Sequence, residues 1–333
     1  LGAEVIKVEL PGVGDHARWV TLAPDDRRAP YFVACNRGKR GMTVDLRTRA
    51  GREIFLDLVR TADVVVSNFA AGTMDGWGLG HEDLAAVNPR IVVAAGTSYG
   101  TEGTAAERKG ADLGAQAAGG LARAMADGDT RPSSVAVTIA DHIASQNIVS
   151  GVLAALLARE RTGRGQRIDT SLLGGQIYAQ ASEYTATVMT GEDIPSPQHG
   201  GHPLIRGTYG IVPTADGAIA LVGVVPEVRD EFFALIGAPE LSADERLAKT
   251  VSTPTEREAL FTALGEVMQS RTTAEWGELF GNSDIRWAPV RHRSEVIDDP
   301  ASYDNGWLYR TTHPEWGDVS FVGNPIRLSD TPV

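Results

Sequence analysis

A regular alternation of strand patterns and helix patterns in the first hundred residues constrains the fold more than any other feature. Strand patterns cover residues 5–10, 42–46, 62–69 and 90–96, and helix patterns cover residues 49–61 and 81–88. Strands that alternate with helices form parallel sheets covered by helices. Ligands of such sheets bind beyond the carboxyl ends of the strands. We therefore expect the post-strand loops that carry Arg18, Asn68 and Ser98 to share one edge.

Residues 138–166 hold a long apolar segment with one acid, Asp141, at its head. Apolar residues recur there at helical spacing with alanines between them, so the pattern predicts a buried helix that is apolar on most faces and ends at Gly163. Free backbone N–H groups and the helix dipole favour an ionised carboxylate in the first turn. Because Asp is also a preferred helix cap, these residues alone leave both a capping and a functional role open for Asp141.

The second half of the chain has a different pattern. A strand at 167–172 and a helix at 174–189 continue the alternation, and residues 190–208 are then rich in Pro and Gly, which marks a domain boundary. Beyond it, an antiparallel hairpin turning at residues 215–217 is followed by helices near 226–236, 253–270 and 273–280. A second hairpin runs from Trp307 to Val322. The sequence predicts an α/β fold with two unequal domains.

Charge and apolar runs exclude several classes of protein. The net charge of −12 argues against a nucleic-acid binder, which needs a concentrated basic face. No apolar run approaches the roughly 20 residues of a membrane span, and no export signal opens the chain. Cys35 is the only cysteine, which excludes an internal disulfide and fits a reducing compartment. We expect a cytoplasmic protein in which an anionic ligand meets a local basic cluster.

Short motifs match known sites only in part. Residues 96–100, GTSYG, match the nucleophile elbow G-x-S-x-G, but a polar loop replaces the helix that must follow it. His199 and His202 in HGGH lack a nearby Cys or supporting acid, so no metal site is predicted. Phosphate-cradling loops of NTPases and dinucleotide-binding proteins are absent from the sequence. Four basic residues lie in predicted loops, and each of them alone is explained as a solvated surface charge. Together they could hold a phosphorylated ligand. They are Arg18, Lys39, Arg40 and Lys109.

Several motifs, in order along nearly the whole chain, resemble the class III coenzyme A transferases, which include formyl-CoA transferase, the carnitine CoA-transferases and the alpha-methylacyl-CoA racemases. They are LGAEVIKVE, GDHAR, NRGKRGMTVDL, ADVVVSNFAAG, RTGRGQRID and YGIVPTADGAIAL. The family pattern begins before Leu1 and continues past Val333, so we expect further segments at both ends. The resemblance implies a large Rossmann-like domain (residues 1–195, with a returning segment at 318–333), a small α+β domain (205–317) and an interlocked homodimer.

The resemblance also implies roles for individual residues. Asp141 stands where the transferases keep their catalytic aspartate, and Gly200 and Gly201 resemble the mobile glycine loop that covers it. Gly76 stands where the formyl-CoA enzyme has an arginine, so one phosphate contact is lost or replaced. The expected coenzyme A contacts are Arg18, Asn68, Phe69 and Lys109, with Lys39 and Arg40 in the basic loop.

These roles imply an acyl-CoA:carboxylate CoA-transferase that uses acyl-CoA and a carboxylic acid as substrates, with no permanently bound cofactor. The hypothesis is that Asp141 attacks the thioester to give a mixed anhydride, and that the released thiolate then gives an aspartyl-CoA thioester. Backbone N–H groups at the helix start and in the glycine loop are the expected oxyanion donors. One thioester is exchanged for another, so no ATP is required.

Two alternatives stay open. A 2-methylacyl-CoA racemase moves the alpha proton between two bases, and the racemase branch has a histidine in a G-H-D segment. Here the segment is Gly110-Ala111-Asp112, so that base is missing unless His142 or another residue replaces it. The other alternative is a degenerate acyl-CoA binder without enzymatic activity.

Overall fold

The computed structural model describes residues 2–126, 131–194, 201–202, 204–205, 208–222, 224, 226–244 and 254–331. Its first part has parallel strands, as the alternation predicts. Strand β1 (Ile6–Glu9) pairs with β2 (Arg40–Thr43), and a second sheet has the order β3 (Val64–Ser67), β4 (Val92–Thr97) and β5 (Arg167–Ser171). All of these pairs are parallel. The predicted mixed α/β architecture is confirmed.

Short helices connect these strands. They are a 3-10 helix (His16–Trp19), α1 (Pro30–Asn36), α2 (Arg49–Val59), α3 (Thr73–Gly76), α4 (His81–Val87), α5 (Asp112–Ala118) and α6 (Leu121–Ala124). The sequence patterns did not predict α1. Helix α2 begins where the Thr48 hydroxyl accepts the Gly51 N–H, and it packs Phe55 and Val59 against Leu84 and Ile91 in a small aliphatic core.

Helix α7 (Ile139–Thr162) is the long helix predicted from residues 138–166, and it ends at Gly163 in the left-handed conformation (φ 72°). Its small-residue face, with Ala140, Ala144 and Ala155, is buried. The prediction that the whole helix is buried is wrong, because its larger side chains point to the surface: Val149, Leu153 and Leu157 are 37%, 54% and 62% exposed. Neither α7 nor another helix in the described ranges is long and apolar enough to cross a membrane.

The predicted helix at 174–189 is divided in two. Helix α8 (Leu172–Ala179) packs on α7, and α9 (Ala181–Thr190) begins after a break at Gln180. The Gln180 side chain donates hydrogen bonds to the carbonyls of Gly119 and Gln176, so the break is held by polar contacts.

The later part of the chain is antiparallel. Strands β6 (Tyr209–Pro213) and β7 (Ala218–Val222) form the predicted hairpin, and β8 (Trp287–Pro289), which was not predicted, adds a third strand. Around them lie α10 (Pro226–Leu235), α11 (Glu240–Ala243), α12 (Pro254–Met268), α13 (Thr273–Phe280), α14 (Arg293–Asp298) and α15 (Pro300–Asp304). Their core is aromatic and fully buried, with Phe232, Phe233, Trp276 and Phe280.

The second predicted hairpin is formed by β9 (Leu308–His313) and β10 (Gly317–Val322). Arg37, in the basic loop after α1, joins this hairpin to the first part of the chain. Its guanidinium lies 5.8 Å from the Tyr309 ring centre and 5.1 Å from that of Phe321, and it donates a hydrogen bond to the Val322 carbonyl. The end of the chain thus returns to the region of β1 and β2.

Candidate active site

Asp141 lies in the first turn of α7 and is half-buried. Its carboxylate oxygen Oδ2 accepts a hydrogen bond from the Tyr31 hydroxyl at 3.1 Å. Tyr31 belongs to α1, which begins at Pro30, a residue suited to the first helical position because it has no N–H to satisfy. The two helices therefore bring a phenol and a carboxylate together across 110 residues of sequence.

A second acid, Asp112, caps the helix that carries Asp141. Its Oδ1 accepts the N–H of Ala140 at 2.7 Å and the N–H of Asp141 at 3.2 Å. Thr138, the residue in the N-cap position, makes no side-chain cap. The capping role considered for Asp141 therefore belongs to Asp112, and the Asp141 side chain is left for the bond with Tyr31.

This capping corrects one expectation about the helix start. Its N–H groups were expected to serve as oxyanion donors, but those of Ala140 and Asp141 are bound by Asp112. The N–H of Ile139 is bound by the Val137 carbonyl. These N–H groups of the first turn of α7 already donate hydrogen bonds within the protein, so an oxyanion at this site needs another donor.

The surroundings of Asp141 raise the pKa of its carboxyl group. Burial raises its pKa above the ordinary 3.8, the negative charge of Asp112 adds to this rise, and the hydrogen bond from Tyr31 opposes it. Burial, together with the charge of Asp141, raises the pKa of Tyr31 to about 12. At neutral pH, Tyr31 is therefore a hydrogen-bond donor beside a carboxylate that is less stabilised than an exposed one.

Helix α1 also connects Asp141 to the predicted basic residues. Burial raises the pKa of the Cys35 thiol; the charge of Lys39 opposes this rise and that of Asp141 adds to it, so Cys35 lies within electrostatic range of both. The Lys39 ammonium donates to the Asn36 side chain at 3.0 Å, and burial lowers its pKa. Lys39 thus lies just after the end of α1, within electrostatic range of Cys35.

Two of the other predicted cations, Arg18 and Arg40, are already paired within the protein. Arg18 forms two hydrogen bonds of 2.9 Å with the Glu9 carboxylate and stacks 3.9 Å from the Phe32 ring centre. Arg40 pairs with Glu4 on the surface. An anionic ligand would have to share or displace these carboxylates, although the Arg18 side chain is still 46% exposed.

The structure places the remaining predicted coenzyme A contacts around two loops. Phe69 is 43% exposed and meets the Trp77 ring edge-on at 5.2 Å. It lines a cleft with Gly72 and with Arg167, a cation that the sequence patterns did not identify. Asn68 is exposed beside Phe69, and Lys109 is exposed in the loop that leads to Asp112. The predicted coenzyme A roles of Arg18, Lys39, Arg40, Asn68, Phe69 and Lys109 stay predictions.

The glycine loop is described only in part, because Gly200 and His199 lie outside the described residues. Gly201 needs to be glycine, since a Cβ there would lie 2.4 Å from the Tyr209 carbonyl oxygen and would also meet the Arg257 side chain. The neighbouring His202 pairs with Glu183 of α9 at 2.6 Å. The place of these glycines over Asp141 stays a prediction.

Two of the weak motifs can be compared with the structure. After β4, which ends at Thr97, the next helix is α5, which begins at Asp112, so Ser98 is not followed by the helix that a nucleophile elbow requires. In the part of the chain that the structure describes, no group of three or more His, Cys, Asp or Glu could hold a metal ion.

The chain is similar to known proteins in both sequence and structure. A family model described as CoA-transferase family III matches residues 1–333. A probable fatty acyl-CoA transferase of Mycobacterium tuberculosis is 33% identical, with 92% of this chain and 80% of that protein covered. The acetyl-CoA:oxalate CoA-transferase of Acetobacter aceti is 30% identical, with 99% and 83% covered. The crystal structure of a CAIB/BAIF family protein from Brucella suis is similar with a TM-score of 0.84 at 33% identity, covering 100% of this chain and 87% of that one.

Proposed function

Since this chain belongs to CoA-transferase family III, we propose that it moves coenzyme A from an acyl-CoA donor to a carboxylic acid by way of Asp141. The observation that carries the proposal is the position of Asp141: half-buried, bonded to Tyr31, and with its backbone held by Asp112. A relative named for acetyl-CoA and oxalate and another named as a fatty acyl-CoA transferase support a thioester donor and a carboxylate acceptor. The enzyme class is that of the family.

The proposed reaction begins with attack of an Asp141 oxygen on the thioester carbonyl. The carbon–sulfur bond breaks, the coenzyme A thiolate leaves, and a mixed anhydride remains on Asp141. The thiolate then attacks the aspartyl carbonyl, which releases the acyl group as its carboxylate and leaves an aspartyl-CoA thioester. The acceptor carboxylate attacks this thioester and the same two steps run in reverse, so that the acceptor leaves as its coenzyme A thioester.

Tyr31 is the group that we assign to stabilise the charge which develops in these steps. Its hydroxyl stays protonated at neutral pH, because its pKa is raised to about 12, and it lies 3.1 Å from the attacking carboxylate. A preorganised donor near a developing oxyanion lowers the barrier to reaction. The helix-start N–H groups are bound by Asp112 and Val137, which leaves this role to Tyr31 and to donors from other loops.

The racemase alternative has less support from the described residues. Ala111 precedes α5 and offers only a methyl group where the racemases have a histidine. His142 follows Asp141 but is exposed on α7. Washing of solvent deuterium into the alpha position of an acyl-CoA would favour the racemase. Tight binding of coenzyme A without exchange across many carboxylates would favour a non-enzymatic binder.

We also propose that a second copy of the chain covers the exposed side of α7, as the expected homodimer requires. Val149, Leu153 and Leu157 follow one another at four-residue spacing along that side, and Val188 and Met189 of α9 are each 81% exposed. Large exposed apolar patches mark protein–protein interfaces. Interlocking of the two copies is part of the proposal and rests on the family resemblance.

We also propose the division into two domains, because the later part of the chain has a core of its own. Among the described residues, the buried members of the aromatic core of the later part lie between Val212 and Ile285, and Trp287 packs against them. The contacts of Arg37 with Phe321 and Val322 support a returning segment that joins the large domain (residues 1–195 and 318–333), with residues 205–317 as the small domain.

Exchange of coenzyme A between an acyl-CoA and a panel of carboxylic acids, followed by mass spectrometry, tests the function directly. We expect Asp141→Ala to lower the exchange rate by at least about 10³-fold, as loss of a nucleophile does in other enzymes. Asp304→Ala, which changes an exposed aspartate at the end of α15, serves as the control and should retain full activity. Full turnover by Asp141→Ala would end the proposal.

A further inference from the structure

We propose that Asp112 is a positioning residue. It fixes the Asp141 backbone by accepting N–H groups at the N-terminus of α7, so that the Asp141 carboxylate stays free to attack the thioester. This inference rests on the proposed function, because it assigns Asp141 as the nucleophile. It concerns a residue that the sequence singled out only as the neighbour of Ala111. The acid that caps the helix and the acid that reacts are then two different residues.

The first observation is the geometry of the cap. One oxygen of Asp112 accepts two consecutive N–H groups of α7, and one of them belongs to Asp141 itself. The residue that acts in this way lies 29 positions earlier in the chain and on a different helix. Asp141 is therefore held through its main chain by a group that does not compete for its side chain.

The second observation is that Asp112 is itself held rigidly. Its other oxygen, Oδ2, accepts a hydrogen bond of 2.6 Å from the side-chain amide of Gln116, one turn further along α5. Gln116 is 1% exposed, and its amide also accepts the Val135 N–H and donates to the Val137 carbonyl. Asp112 and Gln116 together fix the segment that leads into α7 as well as its first turn.

The third observation is the electrostatic effect on Asp141. A carboxylate at a helix N-terminus is normally stabilised by the free N–H groups and the helix dipole. Here Asp112 occupies those N–H groups, and its negative charge adds to the rise in the pKa of Asp141 that burial causes. A carboxylate that is less stabilised as an anion is a better nucleophile, so the arrangement favours attack.

A purely structural cap would explain the same hydrogen bonds, so the test needs readouts that a structural role would not change. Asp112→Ala removes the cap and the charge. Asp112→Asn keeps an oxygen that can accept both N–H groups but removes the charge and the acceptor for the Gln116 amide. Thr48→Ala is the matched control, because it removes the cap of α2 at Gly51, away from Asp141. For each variant, kcat, KM, the pH profile and Tm are measured on the full chain.

We expect Asp112→Ala to lower kcat by on the order of 10²-fold with KM nearly unchanged, because small misplacements of reacting groups cost about this factor. Thr48→Ala should lower Tm without this loss of kcat. Asp112→Asn should recover most of the kcat, and the acid limb of its pH profile should move to lower pH. The titratable groups that face Asp141 are Tyr31 and Cys35 on α1, Asp112 on α5 and His142 on α7.

The outcomes separate this inference from the proposed function. An inactive Asp141→Ala beside a fully active Asp112→Ala overturns the positioning role but leaves the function in place. An active Asp141→Ala overturns the function itself. If Asp112→Ala does not fold, the Asp112→Asn variant gives the test. An Asp112→Asn enzyme with unchanged kcat and an unmoved acid limb of its pH profile would overturn the inference.

Discussion

The antiparallel part and the parallel part of the chain bury their apolar residues in different ways. In the antiparallel part, Phe232, Phe233, Trp276 and Phe280 are at most 1% exposed and form one core. In the parallel part, Leu157 on α7 and Met189 on α9 are 62% and 81% exposed. The antiparallel part is stabilised by its own core. The parallel part, which carries Asp141, presents an apolar surface that the proposed second chain would cover.

The two regions also differ in how they use polar groups. Around Asp141, Tyr31, Asp112 and Gln116 form a continuous set of hydrogen bonds between α1, α5 and α7. In the antiparallel core, Trp276 has a single polar atom, whose N–H donates to the Met268 carbonyl at 2.7 Å. Polar bonds in one region hold a reactive group in place, and in the other they satisfy one ring in an apolar core.

The largest expected effect concerns the aromatic core. Trp276→Ala should lower the free energy of unfolding by about 3–5 kcal/mol, because it leaves a cavity where a fully buried ring was. Trp307→Ala, which changes a ring that is 53% exposed, should stay within about 0.5 kcal/mol. Urea unfolding measures both, and equal losses would contradict the difference drawn between core and surface.

The next effect concerns the apolar side of α7. Leu153→Arg should weaken association between two chains at least about tenfold, since it places a charge in the proposed interface. Leu22→Arg, at another exposed leucine (61% exposed), is the control and should leave association unchanged. Light scattering during size-exclusion chromatography measures the assembly. A wild-type chain that is monomeric at all concentrations would contradict the proposed interface on α7.

A smaller effect is expected at the phenol beside the nucleophile. Tyr31→Phe removes a hydrogen bond to a charged group, worth about 1.5–3 kcal/mol, so kcat should fall roughly tenfold or more. The acid limb of the pH profile should move to higher pH, because the bond from Tyr31 holds the pKa of Asp141 down. Tyr303→Phe, whose hydroxyl bonds with Ser320 near the chain end, should show neither change.

The smallest effect is a pH dependence of stability with opposite signs at two aspartates. Because the pKa of Asp141 is raised in the folded state, ionised Asp141 opposes folding at neutral pH. Asp141→Asn should therefore raise Tm at pH 7, and the gain should shrink as the pH falls through the raised pKa and vanish below 3.8.

At Asp299, the Ala301 N–H and Arg291 hold the pKa of the carboxyl below its usual value. Asp299→Asn should lower Tm at pH 7, and that loss should fade as the pH falls below 3.8, through the lowered pKa. Thermal melts of both variants from pH 3 to pH 7 give the comparison. If both variants changed Tm at pH 7 in the same direction, the raised pKa of Asp141 in the folded state would be contradicted.

Sequence reasoning predicted the parallel alternation, both hairpins and the long helix, because each has a clear period or turn signal. It missed α1, which is short and has no amphipathic period, although Pro30 at its first position was a usable signal. It also missed β8, a strand of three residues. The predicted burial of the whole of α7 was wrong, because a helix that is apolar on most faces does not reveal which of those faces the rest of the chain covers.

The sequence led to Asp141 as the centre of the candidate site, a role that stays a prediction, but not to the residues around it. Family motifs led to Asp141, and the helix pattern placed it at a helix start. The cap by Asp112 and the bond from Tyr31 depend on contacts between residues 29 and 110 positions apart, which no local pattern encodes. The pairing of Arg18 with Glu9, which limits its charge for a ligand, is likewise a tertiary contact.

The most direct test of the account is to trap the activated carbonyl of Asp141, in its anhydride or its coenzyme A thioester, as a hydroxamate on the protein. The wild-type enzyme is incubated with an acyl-CoA in hydroxylamine, digested, and searched by mass spectrometry for a hydroxamate. The account predicts modification of Asp141 that requires the acyl-CoA and is absent from the neighbouring acid, Asp112. Exchange of coenzyme A by an enzyme whose Asp141 stays unmodified would contradict it.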